Sequence, residues 1–225
     1  DYIKISLLRS LSVGVTLGVA WYRFPDEAHN ADGRHISYLT DPKGWRYLDP
    51  KLFDEFNSFV ARERSISALE RCFAVTTKFV RAEVPGRMTP AKNRDGARSV
   101  WFGSVLKDLD ACKIIFADPD NGLVDDREHR RSQIAFGKQM PLSEAVTLSS
   151  GRPTIVYHHN SRFKGGHDAE VDHWLGLLGR GTIAIRATAY SCRTFFILNP
   201  NTQIKERAAA FCETWRDHKV RMHGA

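Results

Sequence analysis

The spacing of apolar and polar positions divides the chain into alternating helices and strands. Ile3, Leu7, Leu8 and Leu11 recur at helical spacing and predict an amphipathic helix over 2–11. The apolar, β-rich run 16–24 predicts a strand, and the polar stretch 25–34 (PDEAHNADGR) a turn-rich loop. Asp49-Pro50 supplies an N-cap and a proline at the first helical position, ahead of Leu52, Phe53, Phe56 and Val60 on one face. A short helix over 65–72 leads to a strand within 74–80. Residues 85–98 (PGRMTPAKNRDGAR) read as an exposed basic loop, and Trp101, Val105, Leu106 and Leu109 as the helix after it. KIIFA, 113–117, has the composition of a short buried strand, and DPDNG after it cannot continue a sheet. A charged stretch over 125–131 precedes a helix over 142–148, a strand over 153–157 and a helix over 167–178. Strands over 182–189 and 193–198 are too close in sequence for a parallel crossover and must be antiparallel neighbours. A helix over 201–215 and a last short strand at 219–222 complete the pattern. Strands alternating with helices predict an α/β fold over 1–225, with a mostly parallel sheet covered on both faces and a late antiparallel hairpin.

Composition narrows the classes of function. Lys and Arg number 33 against 26 Asp and Glu, a net charge of +7 that favours a polyanionic partner. The four cysteines are far apart with no CxxC pair, which excludes patterned zinc ribbons and disulfide-dense scaffolds and fits a reducing cytoplasm. The longest apolar-rich run, 11–22, is too short to span a bilayer, so no membrane partner is expected. The chain opens on Asp rather than Met, so a natural start is expected upstream, and no signal peptide is visible.

Three polar clusters follow three predicted strands: Asp26, Glu27, His29, Asn30, Asp32 and His35; Asp118, Asp120 and Asn121; and His158, His159 and Asn160. In doubly wound sheets ligands bind beyond the carboxyl ends of the strands, so parallel strands would gather all three at one edge. Each cluster also has a plainer role, as turn formers, a cap on the turn after Asp118, or a satisfied core histidine with its exposed neighbour. The basic residues Arg87, Lys92, Arg94 and Arg98 are candidate phosphate contacts or a solvated loop.

The segment IIFADPDNGL, 114–123, resembles the motif of amino-group methyltransferases in which a strand ends in D/N-P-P-aromatic. The order of elements is similar to the family that N6-methylates an adenine of 23S ribosomal RNA, and the FADPDNGL signature also occurs in other bacterial proteins. A helix like DYIKISLLRSL, an apolar strand with an acidic glycine-containing loop (VAWYRFPDEAHNADGR), TIVYHHNSR and RTFFILNPNTQIKERAAAF follow that family's sequence. The resemblance implies a Rossmann-like, methyltransferase-type domain, S-adenosyl-L-methionine as cofactor and an RNA base as substrate. It implies catalytic roles for Asp118 and Pro119 as acceptors of amine hydrogens, with His158 or Tyr157 against the base and Asp26, Asp32 and Gly33 on the methyl donor. The sequence departs from the motif at Asp120 and Asn121, where the second proline and the aromatic would stand, and it lacks a close-packed G-x-G after the first strand. Two alternatives remain open: a metal-dependent nuclease or phosphohydrolase with a divalent ion on Asp118, Asp120, His158 and His159, joined by Asp26 and His29, or a catalytically idle binding protein of the same fold.

Overall fold

The structure, a computed structural model, describes residues 1–24, 35–60, 63 and 65–224. Helix α1 (Tyr2–Leu11) leads into strand β1 (Leu17–Ala20). After it come α2 (Pro42–Trp45), α3 (Pro50–Phe59), α4 (Ile66–Glu70) and β2 (Lys78–Val80). The middle of the chain forms α5 (Arg94–Asp108), β3 (Ile114–Ala117), β4 (Leu123–Val124), α6 (Glu128–Arg131) and β5 (Met140–Pro141). The last part forms α7 (Leu142–Leu148), β6 (Thr154–His159), α8 (Gly166–Leu178), β7 (Ile183–Ala187), β8 (Arg193–Leu198), α9 (Thr202–Thr214) and β9 (Val220–Met222).

Local chemistry sets the helix starts. The Asp49 carboxylate accepts from the Leu52 amide, Ser65 Oγ from Ala68 and Asn201 Oδ1 from Ile204, each satisfying an N-terminal donor that the helix leaves free. Two expectations needed correction. The helix expected from Trp101 begins at Arg94, so the second half of the supposed basic loop is helical. Helix α1 is not amphipathic in place: Tyr2 to Leu8 and Leu11 are all buried, between the sheet and helices α3 and α9.

The main sheet has seven strands in the order β2-β1-β3-β6-β8-β7-β9. Strands β2, β1, β3 and β6 are parallel neighbours; β8 is antiparallel to both β6 and β7, and β9 pairs antiparallel with β7. This is the expected Rossmann-like α/β arrangement, mostly parallel, with the late hairpin extended by β9. Side-chain alternation along the strands builds two cores. Leu17, Val19, Ile114, Phe116, Ile155, Phe195 and Ile197 pack against α1, α3 and α9 on one face. Ala20, Ile115, Ala117, Val156 and Phe196 pack against α5, α7 and α8 on the other. A small parallel pair, β4 with β5, lies outside the main sheet. Among the described residues no helix is long and apolar enough to cross a membrane.

Candidate functional site

Strand order reverses between β1 and β3: from β1 the chain places β2 on one side and β3 on the other. Ligands of doubly wound sheets bind in the crevice beyond the carboxyl ends at that point. The register pairs Ala20 with Ala117 and Ala117 with Val156, so Trp21, Asp118 and Tyr157 emerge at one level of this edge. The Asp118 amide donates to Ala20 O at 2.9 Å, which fixes its backbone as a continuation of the ladder. Alternation turns Asp118, like Phe116, toward the face covered by α1.

There it meets Lys4. Lys4 Nζ donates to Asp118 Oδ2 at 2.8 Å and lies 3.1 Å from Asp1 Oδ1. The ammonium also stands over the rings of Tyr157 and Trp21, 5.4 Å and 5.9 Å from their centroids. The two side chains of the Lys4–Asp118 pair are 11% and 15% exposed, so the carboxylate is sheltered but reachable. Burial pushes the Tyr157 hydroxyl above its ordinary range, opposed by the charges of Lys4 and Arg193. Lys4 is the residue that sequence reasoning missed. Its signal was a lysine among positions otherwise read as core, since a buried lysine calls for a partner.

The turn after Asp118 is anchored to β6. Pro119 is buried and its carbonyl accepts from the Gly122 amide at 3.3 Å; Asn121 N donates to Lys138 O at 2.9 Å. Leu123 N donates to His158 Nδ1 at 3.0 Å. Gly122 has φ +80°, and a Cβ on it would stand 2.7 Å from His158 Cα, so this close crossing admits only glycine. Because Nδ1 accepts, the His158 proton resides on Nε2, which lies 3.2 Å from Glu170 Oε1. Asn160 Nδ2, Ser161 N and Ser161 Oγ also donate to the Glu170 carboxylate, and Thr194 Oγ1 donates to Asn160 Oδ1. Burial raises the Glu170 carboxyl, but these hydrogen bonds outweigh it and hold the group down at about 2.

The edge thus gathers Asp118, Pro119 and β6 as expected, but the role expected of His158 is corrected. The imidazole is 2% exposed and both nitrogens are spent on Leu123 and Glu170, so neither reaches a base or an ion. Asp120 and His159 are exposed at the same edge, with Tyr157 Oη 3.4 Å from His159 Nδ1. Among the described residues no three His, Cys, Asp or Glu side chains gather to hold a metal ion. Asp26, His29, Asp32 and Gly33 lie outside the described residues.

The basic loop also divides. Arg87 and Lys92 are exposed. Arg94 is half-buried and bonds the carbonyls of Thr89 and Ser132. Arg98 is buried: its guanidinium bonds both Glu144 carboxylate oxygens and the carbonyls of Phe136 and Gln139, which removes it from any phosphate contact. Compared with protein-family models and with curated protein sequences, the chain matches none.

Proposed function

We propose that the chain transfers a methyl group from S-adenosyl-L-methionine to an amino group of a nucleic-acid base, RNA foremost. The observation that carries this reading is Asp118: a carboxylate on a fixed backbone at the switch point between β1 and β3, followed by Pro119, with Lys4 bonded to it. The methyltransferase-type strand order supports the same reading. The crevice at that switch point fits a donor of this kind by position, and Asp26, Asp32 and Gly33 are the residues proposed to hold it.

When bound, the donor supplies an electrophilic methyl group. Asp118 accepts a hydrogen of the target amine and thereby aims the nitrogen lone pair into the crevice. The Lys4 ammonium orients that carboxylate, and the Pro119 carbonyl, which also takes the Gly122 amide, is the second acceptor proposed for the amine. A strong base is not required, because the proton leaves only after the amine has become cationic. No observation favours the metal-dependent alternative: among the described residues no three candidate ligands gather, and both nitrogens of His158 are committed within the fold.

The test is donor binding by calorimetry, with transfer of a radiolabelled methyl group to total RNA and to single-stranded DNA. Partial transfer should survive Asp118→Asn, whose amide oxygen still accepts, and should vanish in Asp118→Ala; Asp120→Asn should be mild. A chain that binds no donor and labels neither polymer refutes the proposal.

A further inference from the structure

The face of the sheet that carries Asp118 continues into a strip of aromatic and basic groups. Tyr157 follows Ile155 on that face, and His159 is the next residue in phase with them. Register pairs His159 with Arg193, which leads Phe195 and Ile197 on the same face of β8. The Arg193 guanidinium is oriented by the Ser191 hydroxyl, at 3.0 Å from Nε and 2.6 Å from Nη2. Beyond it, in the turn between β7 and β8, Tyr190 stacks with exposed His35 at 5.8 Å and 29°. Trp45 stands behind Tyr190 at 5.7 Å, and Ser37 Oγ donates to its hydroxyl at 3.4 Å. Tyr190 is half-buried against the core beside Tyr38 and Trp45, and the exposed His35 ring stacked on it is the outer face of the pair. Arg162 and Lys164 are exposed on the segment that leaves β6.

We infer that this strip, Tyr157–His159–Arg193–Tyr190–His35, holds a single-stranded polynucleotide, with a base stacked on the Tyr190–His35 pair and a phosphate on Arg193. The inference rests on the nucleic-acid part of the reading above and places the polymer on the surface beside Asp118. Aromatic faces interleaved with cations are the chemistry of single-strand binding: every base has a face to stack, and every phosphate a charge to pair. A duplex keeps its bases stacked on one another and cannot use the platform. The strip also replaces the loop at 85–98, where Arg94 and Arg98 are consumed by the fold.

The test is fluorescence anisotropy with a labelled single-stranded oligoribonucleotide, the same sequence as DNA, and the duplex, at low and moderate salt without methyl donor. Both single strands should bind more tightly than the duplex. Tyr190→Ala should weaken binding about tenfold. Tyr190→Phe, which keeps the ring, should bind as the wild type does and so separates stacking from damage to the fold. Arg193→Gln should lower the slope of log affinity against log salt by about 0.7. Equal affinity of wild type, Tyr190→Ala and Arg193→Gln, binding confined to the duplex, or no binding of either strand would overturn the inference. Strand binding that depends on Tyr190 in a chain that binds no methyl donor would uphold the strip and refute the catalytic reading. Donor binding without strand binding would do the reverse.

Discussion

Lys4 and Asp118, 114 residues apart in sequence, meet at 2.8 Å and fasten the first turn of α1 to the carboxyl end of β3. Lys4 has the Asp1 carboxylate as a second acidic neighbour. Lys4→Met leaves a sheltered carboxylate with its strongest donor gone and should cost about 2 kcal/mol. In the double variant with Asp118→Asn both charges are gone, and about 1 kcal/mol of the summed single losses should return. Urea denaturation of the two single variants and the double variant measures that coupling. Strict additivity would show that the pair contributes nothing to the fold.

Gly122 should be intolerant of any side chain. Gly122→Ala combines a φ of +80° with a Cβ driven against the His158 backbone, and should cost about 3 kcal/mol. Gly151→Ala is the control: its φ is +73°, but a Cβ there meets nothing within 4 Å, so only about 1 kcal/mol should be lost. Similar midpoints for the two variants would mean that the 118–122 turn is not pinned on β6.

Acid should release the network around Glu170. Its carboxyl is held at about 2 in the folded chain against about 4.5 unfolded, so its contribution is complete above pH 4.5 and disappears as pH falls toward 2. The shift corresponds to about 3 kcal/mol. Glu170→Gln removes this titration, so the variant's stability should fall less steeply between pH 5 and 3 than that of the wild type. Parallel pH profiles from urea midpoints would contradict the assignment.

Much of the scaffold was legible because it rests on periodicity and on caps. The Asp49-Pro50 start of α3, the buried run of β3 and the short link between β7 and β8 each carry their structure locally. The edge position of Asp118 followed from the strand-then-turn pattern around it. What was hidden is tertiary. Lys4 lies on the apolar face with Leu7, Leu8 and Leu11, but the partner that admits a charge there, Asp118, is 114 residues away, and His158 reads as a free imidazole until Leu123 and Glu170 claim both nitrogens. The start of α5 was masked by Gly96 and by charges whose partners lie 38 to 46 residues away, at Ser132, Phe136 and Glu144. Strands β4 and β5, two residues each, are shorter than any periodic signal.

Arg98 separates a structural from an electrostatic role for the 85–98 segment. Its Nε lies 2.7 Å from Glu144 Oε1 and its Nη2 3.0 Å from Oε2, while Nη1 and Nη2 reach the carbonyls of Phe136 and Gln139. The Phe136 ring stacks 4.9 Å from the guanidinium, and Tyr22 Oη donates to Glu144 Oε2 at 2.9 Å. Removing the arginine leaves Glu144 as a buried, uncompensated charge, which in such settings costs about 3 kcal/mol or more. Tyr22, whose φ is +47°, also relies on that carboxylate to hold a backbone conformation unfavourable for a side chain of its size. Arg98→Ala should therefore unfold at markedly lower denaturant, while Arg98→Met with Glu144→Gln should recover part of the loss by removing both charges. Lys92→Ala, at an exposed position of the same segment, should stay within about 0.5 kcal/mol of the wild type. A folded, fully stable Arg98→Ala chain that had lost only polynucleotide affinity would return Arg98 to the phosphate-binding role that its burial denies.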